Sequence, residues 1–184
     1  MLEALVPGIY DHTLSPQDRF NIQTDVYALA RAGLIGYVDY LKLLRHAYKH
    51  EDNLTVWKSI LRQLTELNSI FDYAHLNNTK LLYQSYVLDL LSDIYEELEW
   101  DPLPNESSQT TMLRSLILTH MGVNGHKKVA DEAHRRFKEY FIGNNQQYLI
   151  DPNIRAAIYL SIAKTGNGET FEQLIYVIEY FHDC

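Results

Sequence analysis

One phrase occurs twice. Residues 113–125 read LRSLILTHMGVNG and residues 154–166 read IRAAIYLSIAKTG, so that Leu113 falls on Ile154, Arg114 on Arg155, Ile117 on Ile158, Met121 on Ile162 and Gly125 on Gly166, all at an offset of forty-one. The segments that follow match at forty, with Tyr140 and Phe141 falling on Tyr180 and Phe181. In each copy the apolar positions 113, 116, 117, 121 and 154, 157, 158, 162 lie on one face of a helix. A helix pair of about forty residues that cannot bury its own apolar face, but can bury it against a copy of itself, is the unit of the HEAT and armadillo class of repeats.

The rest of the chain carries the same period. Ser15-Pro16-Gln17-Asp18 marks a helix start, Ser15 capping the Asp18 amide and Pro16 suiting the first helical position, and Gly33 stops that helix near Arg31. A second helix over roughly 35–48 carries the stripe Tyr37, Leu41, Leu44 and Tyr48. The third, from Asn53 or Thr55, presents Trp57, Ile60, Leu61, Leu64, Leu67 and Phe71; the fourth, over about 79–99, presents Tyr83, Val87, Leu90, Leu91, Ile94 and Leu98. Pro102 and Pro104 end it. Asp151-Pro152 and a capping box of Thr170 with Gln173 start the later helices.

The expected fold is therefore all-α, a HEAT/armadillo-like stack of about four antiparallel helix pairs. One domain spans 15–184, preceded by an extended lead-in over 1–14. The alternative is an irregular helical bundle in which two pairs look alike; the joint match of arginine, glycine and apolar positions favours the stack.

Composition narrows the function. Net charge is −8, which disfavours general attraction to a phosphate backbone, so no nucleic-acid partner is expected. The single cysteine, Cys184, excludes a disulfide scaffold. No run of eighteen apolar residues and no signal-peptide pattern occurs, so no membrane partner is expected either.

Catalytic chemistry is not written in the usual motifs. His50-Glu51-Asp52-Asn53-Leu54 approaches a zinc-hydrolase motif but lacks the second histidine and falls in a turn. His46 and His50 share helical spacing without a third ligand. The run Asp93, Glu96, Glu97 and Glu99 reads as a solubilising helix end. A basic cluster of His126, Lys127, Lys128, His134, Arg135, Arg136 and Lys138 could seat an acidic partner or a peptide carboxylate, against the commoner role of a solvated helix face. No catalytic or metal-binding residue is assigned. Arg31, Arg114 and Arg155, each beside an apolar stripe, are the candidate site residues, structural or peptide-facing; arginine in such a place is more often tied to a carboxylate or helix end. The fourteen tyrosines read mainly as core-edge residues.

These residues also carry a family resemblance. SPQDRFNIQTDVYALARAG at 15–33, LTVWKSILRQL at 54–64, LEWDP at 98–102, MLRSLIL at 112–118, AHRRFKEY at 133–140 and IRAAIYLSIAKTGNGETFEQL at 154–174 resemble, in order, the C-terminal helical domain of the M1 family of zinc aminopeptidases, most of all the puromycin-sensitive aminopeptidases. The resemblance implies a noncatalytic domain that walls the peptide cavity and governs peptide access and length. The zinc and its HExxH motif, like the GAMEN motif, would lie in an upstream catalytic domain of the same polypeptide, with no cofactor in this chain. It implies further that family helices continue beyond Cys184, so the domain would be truncated there, and, since secreted relatives carry cysteine pairs in this domain, a cytoplasmic setting. The alternatives from other classes are a free-standing HEAT-like scaffold for a protein partner and a self-sufficient hydrolase with an unfamiliar site.

Overall fold

A computed structural model describes the backbone of residues 2–143 and 150–181; the side chains of residues 2, 141–143, 178, 180 and 181 lie outside the described set. The matches of Phe141, Tyr180 and Phe181, and Cys184, therefore fall outside the described residues. Among the described residues the chain forms nine helices and no strand. They are α1 (Leu2–Tyr10), α2 (Pro16–Arg31), α3 (Tyr37–Ala47), α4 (Leu54–Tyr73), α5 (Asn77–Leu98), α6 (Ser108–Val123), α7 (Lys127–Gly143), α8 (Arg155–Thr165) and α9 (Gly168–Phe181). The chain divides into two compact units, Met1–Leu103 and Pro104–Cys184, where sequence reading draws one domain over 15–184. The division falls in the segment that Pro102 and Pro104 keep out of any helix.

Within the lead-in over 1–14, expected to be extended, residues 2–10 form a helix. Pro7 and Gly8 disfavour helix locally, but Ile9 is buried to 1% exposure and α1 packs on α3, so tertiary burial overrides propensity. Gly8 is placed against Leu14, whose Cγ a Cβ at position 8 would meet at 3.1 Å.

Three helices end in the same turn. After α2, Gly33 adopts φ +72 and Leu34 N–H returns to Leu29 O at 3.0 Å; after α6, Gly125 adopts φ +85 and His126 N–H returns to Met121 O at 3.0 Å. After α4, His75 takes φ 54 and Leu76 N–H returns to Phe71 O at 2.9 Å. The third copy hides in sequence because histidine stands where glycine is usual. Gly166, matched to Gly125 by the repeat, is different: its φ is −77 and ψ 173.

The helix starts follow the sequence in the first unit. Ser15 Oγ accepts from Asp18 N–H at 3.2 Å, and Asn53 Oδ1 accepts from Thr55 N–H at 2.9 Å. Two later starts differ. Asp151 Oδ1 accepts from Asn153 N–H at 2.8 Å in a turn that precedes α8, and Asn167, one turn before the expected Thr170, caps α9 by accepting from Thr170 N–H at 3.0 Å. In both places the asparagine or aspartate side chain caps an amide two or three residues on, which proline or threonine patterning alone does not reveal.

Packing pairs equivalent helices. In the first unit α2 lies on α4 and also on α3, and α4 on α5. In the second, α6 lies on α8, with α7 on both and α9 on α8. The repeated stripe is the core of that contact: Ile117, Met121, Ile158 and Ile162 are at most 1% exposed. On α3 and just past it the buried face is Tyr40, Leu43, Leu44, Ala47 and Tyr48, while Tyr37 and Leu41 of the predicted stripe are half-buried, because α1 and α2 both pack on this helix.

Helices α6 and α8 approach tightly at Gly122, where an added Cβ would lie 1.8 Å from Ser161 Oγ and 2.8 Å from Ser161 Cβ. A side chain there fits only if Ser161 or the helices move apart. Gly122→Ala should destabilise the protein by about 1–3 kcal/mol in equilibrium denaturation, the cost of overpacking a formed core. Ser161→Gly, which leaves only a 3.4 Å contact with the Ser161 Cα position, should recover part of that loss when combined with it.

Candidate functional site

The most concentrated polar chemistry lies at one end of the first unit. Arg19 sits in the first turn of α2, where a cation opposes the helix dipole, and it is 2% exposed. It is held by Glu51, from the α3–α4 loop and also 2% exposed, through Nε to Oε2 at 2.7 Å and Nη2 to Oε1 at 2.8 Å. Nη1 donates to Leu14 O at 2.9 Å, and Nη2 reaches Asp52 Oδ1 at 3.4 Å. Glu51 Oε1 accepts further from Asn53 N–H at 2.8 Å and Asp52 N–H at 3.1 Å. The main chain is tied in as well: Trp57 Nε1 donates to Glu51 O and Tyr48 OH to Arg19 O, each at 2.7 Å. The bonded carboxylate holds the Arg19 guanidinium above its ordinary range.

His12, Glu51 and Asp52 bring ligand atoms within 4.8 Å of one another, which invites a metal reading. They do not fit one. Both Glu51 oxygens are engaged by the guanidinium, and one by two amides as well; the guanidinium is the cation of this site. Zinc bound here would have to displace Arg19 and leave a buried charge unpaired. The knot is an organising feature, joining the α1–α2 link, α2, α3 and the start of α4. In the sequence Glu51 stands in the incomplete zinc-hydrolase motif at 50–54, and Arg19 belongs to no motif of chemistry. Its one visible signal was an arginine in a helix's first turn, where acids are favoured.

A second buried layer follows along α2 and α4. Gln23 Nε2 donates to Ser59 Oγ at 2.8 Å, Tyr40 OH donates to Gln63 Oε1, and Tyr27 OH donates to Glu66 Oε2 at 2.8 Å. Tyr83 OH reaches Leu64 O at 2.6 Å and Tyr86 OH reaches Leu41 O at 2.7 Å. Burial raises the pKa of Tyr27, Tyr40, Tyr83 and Tyr86, so these hydroxyls remain protonated donors. These tyrosines tie helices together.

The three candidate arginines fall in both units. Arg31 is exposed at the end of α2 in the first unit. In the second unit, Arg114 is 2% exposed and grips the Glu106 carboxylate through both Nη atoms, which Thr111 Oγ1 also contacts at 3.0 Å. Arg155 is half-buried on α8, in the field of Tyr159. Two members of the basic cluster pair with acids on their own helix: Arg135 binds Glu132 and Glu139, Arg136 binds Glu132, and those guanidinium groups hold the Glu132 carboxyl down at about 2. His134 Nε2 meets Thr165 Oγ1 at 2.9 Å, linking α7 to α8. The His50 and Tyr10 rings meet at a tilt with centroids 4.3 Å apart, and Asp93 pairs with Lys49 at 3.4 Å.

Among the described residues no helix is long and apolar enough to cross a membrane. Comparison with known proteins gives a consistent result. The chain matches the ERAP1-like C-terminal domain over residues 1–179. It is 29% identical to Aminopeptidase M1-A of Oryza sativa subsp. japonica, over 87% of this chain and 18% of that protein. It is 26% identical to the Alanine/arginine aminopeptidase of Saccharomyces cerevisiae, over 90% of this chain and 19% of that protein. It is also 26% identical to the Puromycin-sensitive aminopeptidase of Caenorhabditis elegans, over 95% of this chain and 18% of that protein. The chain thus spans under a fifth of the length of these relatives.

Two outcomes follow from the buried charges. Glu51→Gln leaves the buried Arg19 cation with only the exposed Asp52 carboxylate, 3.4 Å away, as counter-charge and should cost about 3 kcal/mol in chemical denaturation, whereas Arg19→Met with Glu51→Leu should cost less than that single change. Burial lowers the His120 imidazole from 6.5 to about 4. A depressed folded value means that the unfolded chain binds the proton first, so His120 contributes stability above pH 6.5 that is lost as pH falls toward 4. Melting temperatures across that window should decline less steeply in His120→Gln than in the parent.

Proposed function

Because the chain belongs to the ERAP1-like C-terminal domain family, matched over residues 1–179, we propose that it is the noncatalytic helical module of an M1 zinc aminopeptidase. The parent removes N-terminal residues from peptides; this part walls the cavity that holds the peptide and sets which lengths enter. The observation that carries the reading is the extent of the match, which takes in 87–95% of this chain in three relatives of which it spans only 18–19%. The paired burial of Arg19 with Glu51 and of Arg114 with Glu106 supports it, since the charges inside the fold serve structure. Zinc, its HExxH ligands and the GAMEN motif belong to the upstream catalytic domain of the same polypeptide, which is the partner of this module together with the peptide substrate. The setting is cytoplasmic.

Of the three candidate arginines, Arg114 is a structural residue by its grip on Glu106. Arg31 and Arg155 are the two offered to peptide.

Incubated with zinc and an aminoacyl chromogenic substrate, the purified chain should release no chromophore above the blank; turnover that follows stoichiometric zinc uptake would overturn the reading. In the full-length parent, Arg31→Ala and Arg155→Ala should raise KM for long peptides while leaving the short chromogenic substrate unaffected. Equal effects on both substrates would remove these arginines from the peptide path.

A further inference from the structure

The sequence contains two Asn-Gly dipeptides among the described residues, Asn124-Gly125 and Asn167-Gly168, and the fold treats them in opposite ways. Spontaneous deamidation at such a dipeptide begins when the glycine amide nitrogen attacks the asparagine Cγ. A nitrogen–carbon bond forms, the side-chain amide leaves as ammonia, and a five-membered succinimide remains. Water then opens the ring at either carbonyl to give aspartate or isoaspartate. The reaction therefore needs a free glycine N–H, an amide nitrogen free to leave, and support for the negative charge that gathers on Oδ1.

At Asn124 the first two requirements are denied. Gly125 N–H donates to Gly122 O at 3.0 Å inside the turn that closes α6, and Asn124 Nδ2 donates to His120 O at 2.7 Å. Both reacting nitrogens are tied to the helix end, and freeing them means breaking the turn.

At Asn167 all three are met. Gly168 is the first residue of α9, so its N–H is one of those a helix start leaves without an internal acceptor, and it makes no hydrogen bond among the described residues. The Asn167 Nδ2 makes none there either, while Oδ1 accepts from two donors, Thr170 N–H at 3.0 Å and Thr170 Oγ1 at 3.1 Å. Two donors on the oxygen that becomes negative are the arrangement that stabilises a tetrahedral acyl intermediate. Both residues are exposed, and nothing lies within 4 Å of the side-chain direction of Gly168 to hinder ring closure.

We propose that Asn167 is a built-in deamidation site, converted to aspartate and isoaspartate in the folded protein, and that Asn124 is protected by the fold. The two products differ in consequence. Aspartate retains an oxygen for the Thr170 amide and adds a charge suited to a helix start. Isoaspartate lengthens the main chain by a methylene in a turn where Gly166 is wedged against Ile162 O and Thr170 Cγ2, each 2.6 Å from where its Cβ would be. That product loosens the α8–α9 join.

The test is peptide mapping by mass spectrometry of the purified chain aged in mildly alkaline buffer at physiological temperature, with isoaspartyl methyltransferase used to mark isoaspartate. The peptide carrying Asn167 should convert at least about tenfold faster than the one carrying Asn124, the factor expected from breaking two hydrogen bonds before reaction. In urea the two rates should become equal. Thr170→Val, which retains the methyl facing Gly166 and removes the hydroxyl, should slow conversion at 167 several-fold, and Asn167→Asp should leave the melting temperature unchanged or higher. Equal rates in the folded chain, or faster conversion at Asn124, would overturn the proposal.

Discussion

A helix with one apolar face is unstable alone in water, and here the equivalent helix of the next pair helps to cover the face: α4 packs on α2 beside α3, and α8 packs on α6. Every other feature accommodates that contact. Gly122 is small because Ser161 must fit against it, and the turns at Gly33, His75 and Gly125 reverse the chain so that each second helix can lie beside its first. α1 packs on α3.

Stacking of this kind leaves ends and loops to be joined by something other than apolar burial, and charge supplies the join. Arg19 and Glu51 bind the start of α2 to the loop before α4, and Arg114 and Glu106 bind α6 to the turn that precedes it. Pairs this deeply buried give little net stability against an apolar replacement, but they penalise any other register because each partner is costly alone. The same logic explains why a cluster that resembles a metal site by composition is occupied by a guanidinium.

The sequence makes the helical period, most helix bounds and the α6–α8 repeat legible, because burial of Ile117, Met121, Ile158 and Ile162 needs regular spacing and regular spacing is visible. What it conceals is non-local or local override. The helix over 2–10 is hidden by Pro7 and Gly8, since the burial of Ile9 against α3 cannot be seen from neighbours in sequence. The Arg19–Glu51 pair spans thirty-two residues, and neither partner stands in a motif. The third chain-reversing turn is masked by His75 in a glycine's conformation, and the equivalence of Gly166 to Gly125 holds in sequence but not in backbone. Arg31, Arg114 and Arg155 were legible as unusual but not as different from one another; only the position of Glu106 separates the structural member from the rest.

That a wall of mutually buried helices underlies the second unit is tested most directly by a cross-link between α6 and α8. In a Cys184→Ser background, Gly122→Cys with Ser161→Cys places two sulfurs where Cβ atoms would approach to 2.8 Å, and a disulfide needs a widening of about 1 Å. Mild oxidation of the native protein should close this bond in nearly every molecule with helix content unchanged, while Gly122→Cys with Leu160→Cys, on the exposed side of α8, should stay reduced. A bond that forms only after denaturation, or equally in both pairs, would contradict the stacking on which the fold and its proposed role depend.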